Sequence, residues 1–250
     1  MSAAAKPFAT EAEMCGEFIA ALPEGWTAYA ETAGWDILLA RPADGFQIGV
    51  EAKLRLNTHV IAQALDDDRW YSSGPDCRAV LVPSAAVQVG IEAICAYIGV
   101  VIIRLWPKGE RMWRRGTFTP LLPSSAADVV HEQWPEWGPP KRCALPDYVP
   151  DVAAGAPAPT KLTQWKIKAI KIAILLDRRG YVTRDDFRAL HIDHRRWLPS
   201  GAGWLTLGNG RYTAGQSLPN FKAQHPTVYD QIAADFDKWE PKAPLLVGAA

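Results

Sequence analysis

The sequence predicts an α/β fold, a mixed sheet flanked by helices, followed by a small, mainly helical unit. Three observations carry this expectation. Residues 26–54 form three short strand-like runs separated by turn residues. Residues 77–106 hold two continuous apolar runs with a helical stretch between them, the pattern of a strand–helix–strand unit buried on both faces. The charge then changes sign: residues 1–159 carry 13 basic and 19 acidic side chains, and residues 160–215 carry 11 basic and 4 acidic ones. A chain of 250 residues, 48% hydrophobic and 22% charged, has room for a medium domain with a real core and a smaller second one.

The first helix is expected over "TEAEMCGEFIAAL" (10–22). Thr10 is a plausible N-cap with acids in the first turn, and Cys15, Phe18, Ile19 and Leu22 share a face. "WTAYAET" (26–32), "WDILLA" (35–40) and "FQIGVEAKL" (46–54) read as an antiparallel meander, punctuated by Gly34 and reversed by "RPADG". "THVIAQALDDDRWY" (58–71) is helical, with Val60, Ile61, Ala64 and Leu65 as its apolar side. "CRAVLVPS" (77–84), "AAVQVGIEAICAYIG" (85–99) and "VVIIRLW" (100–106) follow as strand, helix and strand. The order is α, β, β, β, α, β, α, β.

Three parts are expected: a domain over 1–133, a Pro/Ala-rich semi-rigid linker over 134–160, and a basic domain over 161–250 that includes a C-terminal helix. Trp113, Trp134 and Trp137 are large enough to dock part of the linker region on the first domain. In the last part, helices over 163–180 and 183–192 carry Thr caps, 193–198 reads as a short third helix, and 203–214 alternates around Gly208-Asn209-Gly210, a hairpin turn. That order resembles a winged helix-turn-helix, which offers a helix to the DNA major groove and a hairpin to the backbone. Arg195 and Arg196 on the third helix and Arg211 on the wing are the best-placed phosphate contacts. A protein-docking module is the alternative, and Trp204 and Tyr212 read as core packing.

The four cysteines (Cys15, Cys77, Cys95, Cys143) lie far apart, which excludes a zinc or disulfide framework and suggests buried thiols in a reducing compartment. The N-terminal "MSAAAKPFATEAE" lacks the apolar core of a secretion signal, and no run is long enough for a membrane span. The expectation is a soluble cytoplasmic protein without a membrane partner or a small-molecule cofactor.

The chemistry concentrates in "QIGVEAKLRL" (47–56). Glu51 and Lys53 point to one strand face, about 7 Å apart. Asp36, with fourteen residues between it and Glu51, lies on the neighbouring strand, so the hairpin brings both carboxylates to one sheet end. With the Ala52 carbonyl they make a hard-oxygen pocket suited to Mg²⁺ or Mn²⁺. Like charges this close repel unless a cation neutralises them.

G-W-D followed by V-E-A-K-L closely resembles the PD-(D/E)XK phosphodiesterase superfamily, with its restriction-endonuclease-like αβββαβ core, over roughly residues 10–106. The resemblance implies that Asp36 and Glu51 bind the metal and that Lys53 assists the nucleophile. It also implies a glutamine from the following helix, matched by Gln63, and a glutamate from the first helix. Glu13 and Glu17 both suit the latter; Glu13 is favoured by position. Trp35 stands where the motif has proline. The run Asp66-Asp67-Asp68 splays around a helix and reads as a solvated end, and His59 reads as a helix-start polar residue. The expected activity is metal-dependent endonucleolytic cleavage of DNA, with a homodimer possible because both strands of a duplex must be cut. A non-catalytic DNA-binding or assembly protein and an RNA-directed nuclease are the alternatives.

Overall fold

The computed structural model describes residues 7–65, 73–86, 89–108, 116–125, 127–151, 154, 162–198 and 203–241. The chain divides into two compact units, Met1–Lys161 and Leu162–Ala250.

The first unit opens with helix α1 (Glu11–Ile19), capped by the Thr10 side chain, which accepts the Glu13 amide. Strands β1 (Thr27–Thr32), β2 (Trp35–Arg41) and β3 (Phe46–Ala52) form an antiparallel meander. Helix α2 (Thr58–Leu65) and the two-residue β4 (Ser73–Gly74) lead to β5 (Cys77–Pro83), which runs parallel to β3. Helix α3 (Val89–Tyr97) crosses to β6 (Val100–Leu105), parallel to β5, and β7 (Phe118–Thr119) closes the edge antiparallel. The sheet order is β1-β2-β3-β5-β6-β7. The expected mixed sheet and its element order are therefore present. Among the described residues no helix is long and apolar enough to cross a membrane.

Strand alternation divides the core into two layers. Ile37, Leu39, Ile48 and Val50 pack with Met14, Cys15 and Phe18 of α1. Leu38, Val80 and Val82 pack with Val60, Ile61 and Ala64 of α2 and with Cys95 of α3. All seven residues of β5 are buried, which is why it reads as an unbroken apolar run. Truncating any of these large side chains costs about 2–5 kcal/mol, so the ends of β2 and β3 are held rigidly. Gly49 has a specific reason: a Cβ there would lie 2.4 Å from the Trp35 ring, which rests on the β3 backbone.

Within the segment read as a linker, Trp134 and Trp137 dock on the first unit, as expected of them, and the first unit runs on to Lys161. Trp134 is 2% exposed, and its ring N–H donates to the Leu121 carbonyl at 2.9 Å. The Trp137 ring donates to the Gly99 carbonyl at 3.0 Å and lies 4.3 Å from the Arg78 guanidinium carbon. The short β8 (Lys141–Arg142) pairs with β4, and Cys143 exchanges two hydrogen bonds with the Gln47 side chain at 2.9 and 3.0 Å. Proline removes the regular-structure signal, yet indole burial and side-chain amides still anchor the strap. Trp113, Asp66-Asp67-Asp68, Lys161 and most of 152–160 lie outside the described residues.

The second unit begins with α4 (Gln164–Arg179), capped by Thr163 and ended by Gly180 at φ 75°. Helix α5 (Arg184–Ala189) has a reciprocal capping box between Thr183 and Asp186. The short third helix expected over 193–198 is present as a four-residue 3-10 helix, His194–Trp197, and not as an α-helix. Two causes act together: Trp197 is fully buried against Phe187 and Trp204, and Leu198 precedes proline, which disfavours helical backbone. The hairpin β9 (Leu205–Gly208) and β10 (Arg211–Ala214) turns on Asn209 and Gly210, both at positive φ. Three short helices follow, α6 (Phe221–Gln224), α7 (Pro226–Ala234) and α8 (Phe236–Trp239).

Candidate active site

The β2–β3 register runs to Ile37↔Val50. One step further, the register sets Asp36 opposite Glu51, close enough for the Asp36 charge to act on the Glu51 carboxyl. Glu51 is only 5% exposed. Burial first, and the Asp36 charge second, push its pKa up to about 8. Burial also raises Asp36, despite the hydrogen bond it accepts from the Ala52 amide at 2.9 Å. That amide replaces the next rung of the β2–β3 ladder. The two acids thus sit where neither ionises easily in the other's presence.

Lys53 follows directly. Its ammonium donates to Glu11 Oε2 at 3.0 Å. Burial on its own would lower the Lys53 pKa; the hydrogen bond to Glu11 and the charges of Glu11, Asp36 and Glu51 outweigh it and raise the pKa overall. Lys53 is therefore a fixed cation, a donor and not a base.

The α1 glutamate beside the site is neither of the two expected from sequence. Glu13 turns back to accept the Ala9 amide at 2.6 Å, completing the helix cap with Thr10. Glu17 pairs with Lys108 at 3.5 Å. Glu11 takes the position because it precedes Cys15 by one helical turn and Phe18 by two, on the face α1 buries. The sequence signal was that spacing.

Glu31 of β1 is a further acid that sequence reasoning missed. The pairs Ala30↔Ile37 and Thr32↔Trp35 bracket it, so it stands across from Asp36, 8% exposed and at φ 51°. Its charge helps raise Asp36, Glu51 and Cys15. The signal was the two-residue Ala33-Gly34 loop, whose count places Glu31 opposite Asp36. The Cys15 thiol, in the core near these acids, is pushed up to about 12, by burial first. All four cysteines are buried and free.

Gln63 has a buried side-chain oxygen without a hydrogen-bond partner. Among the described contacts none joins it to Asp36, Glu51 or Lys53. Arg195, Arg196 and Arg211 are exposed in the second unit, and Arg211 stacks 4.1 Å over the Tyr181 ring. Most other cations there are already engaged: Arg179 binds Asp186 and Glu240, Arg188 binds Asp185, and Lys168 donates to the His191 carbonyl.

Among the described residues no group of three or more His, Cys, Asp or Glu side chains is arranged to hold a metal ion. The Asp36–Glu51 pair is a smaller donor set. Two hard carboxylates suit Mg²⁺, which keeps several waters and needs few protein ligands, and a divalent cation would relieve the repulsion that now favours a proton. The Ala52 carbonyl leaves the same strand edge as its amide. The residues therefore fit such an ion. No family model, curated protein or solved structure matches the chain, so a functional reading rests on this geometry.

Proposed function

We propose that the chain is a metal-dependent phosphodiesterase that cuts DNA, an endonuclease of the PD-(D/E)XK kind on a restriction-endonuclease-like sheet. One observation carries the reading: two acids share a buried sheet end with a lysine held in its charged form. In this reading Asp36 and Glu51, with the Ala52 carbonyl, hold Mg²⁺ or Mn²⁺. When bound, such an ion acidifies water and offsets charge on phosphate oxygens. Lys53 donates to the attacking water or to a phosphate oxygen, and Glu11 fixes its ammonium in place. Burial of Glu51 strengthens each of these interactions by excluding bulk water. Asp36 is oriented by the Ala52 amide, so the pair is pre-positioned by backbone and not by flexible side chains.

The second unit, in this reading a winged-helix-like module, positions the DNA through Arg195, Arg196 and Arg211. Its four-residue turn at His194–Trp197 is too short to act as a groove-filling helix, so these arginines serve as backbone contacts.

The test is incubation of the whole chain with plasmid and linear DNA in Mg²⁺ or Mn²⁺. Cleavage is expected, falling about 10³-fold in Glu51→Ala and Lys53→Ala while circular dichroism stays unchanged. Cleavage that persists in both variants, or none by the unaltered chain with either ion, overturns the proposal.

A further inference from the structure

A cleft of about 550 Å³ is lined by the Lys53–Glu11 ion pair, and Lys53 stands two residues beyond Glu51 of the carboxylate pair. Its walls are apolar: Phe8, Leu54, Pro83, Ala85 and Ala86 line it. Its polar rim carries Arg55 and Asn57, both exposed. Asn57 Oδ1 is engaged in accepting the Val60 amide at the start of α2, so its NH₂ is the group with donors to offer. The chain from Lys53 to Asn57, directly after the strand that bears Glu51, therefore lines a pocket with cations near its mouth and hydrocarbon inside.

We propose that this cleft seats one unpaired nucleotide of the DNA next to the scissile phosphate, so that single-stranded or frayed DNA is the preferred substrate. The proposal rests on the nuclease reading and deepens it. The volume is that of a small-molecule pocket; it accommodates a nucleotide but not a section of duplex. Apolar walls accept the face of any base without reading the hydrogen-bonding groups on its edges. Arg55 sits two residues beyond Lys53 and takes the neighbouring phosphate. Glu11, the one acid among the described residues that line the cleft, is paired with Lys53, so it does not repel the strand. A base inside a duplex would have to leave its stack to enter, and one already unpaired would not.

The experiment measures binding of fluorescent oligonucleotides to the whole chain in Ca²⁺, comparing a short single strand with the blunt duplex of the same sequence. The single strand should bind roughly tenfold more tightly. Ala85→Trp, which fills the cleft from an exposed wall position, should remove that difference while leaving the melting temperature and calorimetric Mn²⁺ binding unchanged. Arg55→Ala should weaken single-strand binding several-fold and lower its salt dependence by about one phosphate. Equal or tighter binding of the duplex, unaffected by Ala85→Trp and Arg55→Ala, overturns the proposal, as does failure to bind either DNA. The two readings fail separately. A single-strand preference lost in Ala85→Trp, from a chain that cuts nothing, leaves the cleft assignment standing and removes the nuclease. Cutting by a chain that prefers duplex does the reverse.

Discussion

Glu51 in the first unit and Asp186 in the second are buried to the same degree, 5% and 6% exposed, yet they have opposite surroundings. Asp186 accepts from the Thr183 amide at 2.8 Å, the Thr183 hydroxyl at 2.9 Å and Arg179 at 3.1 Å. Glu51 meets another carboxyl, and the Glu31 charge acts on it as well. The difference teaches how to read a buried acid. One whose neighbours are donors is architecture, locking a helix start to the preceding helix. One whose neighbours are acids is left with a deficit that a cation, or a proton in its place, must fill.

The largest effect that would break this comparison is expected at Asp186. Asp186→Ala strands the Thr183 amide and leaves the Arg179 guanidinium with Glu240 as its remaining carboxylate partner, and should cost about 2–3 kcal/mol, read as a lower urea midpoint for the transition that reports on the second unit. A neutral result there would mean that burial alone does not mark a structural acid.

Glu51→Gln should act in the opposite direction. The folded-state pKa of Glu51, about 8, lies above the ordinary 4.5. Below pH 4.5 the folded and unfolded chains both hold the proton, and Glu51 contributes nothing. Between about pH 4.5 and 8 only the folded chain keeps it, so stability falls as pH rises and the loss is complete above 8. Without metal, Glu51→Gln should therefore be near neutral at pH 4.5 and stabilising on the order of 2 kcal/mol at pH 8. Mn²⁺ should stabilise the unaltered chain at pH 8 and not the variant. Melting curves across pH, with and without Mn²⁺, measure both; a variant less stable than the parent at pH 8 would contradict the strained pair.

The smallest effect is expected at Arg211, whose guanidinium is exposed on the hairpin. Arg211→Ala should weaken DNA binding only a few-fold and reduce its salt dependence by about one released counterion. An unchanged salt slope would remove Arg211 from the nucleic-acid contacts and confine the second unit's part in the comparison to the donor-bound Asp186.

Much of the first unit was legible in residue order. The strand runs "WDILLA" and "FQIGVEA" and the Pro-Gly turn between them place Asp36 and Glu51 together, because a hairpin with known reversal residues fixes its own register. The continuous run at 77–83 announced a strand covered on both faces. The sequence offered Glu13 and Glu17 on α1, with Glu13 favoured, whereas Glu11 is the one that meets Lys53, because helix capping and sheet-facing position compete for neighbouring glutamates. Only the i, i+4, i+7 spacing of Glu11, Cys15 and Phe18 separates them. Glu31 was missed because its role depends on a loop whose tightness lies in Ala33 and Gly34, both at positive φ. Docking of the strap at 134–143 was legible in Trp134 and Trp137, but its pairing with β4 and with the Gln47 side chain was not, because proline silences periodicity without preventing burial.

By itself, then, the sequence determined the order of strands and helices, the hairpin that pairs Asp36 with Glu51, and the surplus of positive charge in the second unit. These depend on local periodicity and on turns, and both act over a few residues. Only the tertiary structure decided which α1 glutamate meets Lys53, that Glu31 joins the acids, that the third helix of the second unit is a 3-10 turn, and that a cleft opens beside Lys53. Those outcomes depend on burial and on distances between segments far apart in the chain. An acid becomes a site or a cap according to what packs against it.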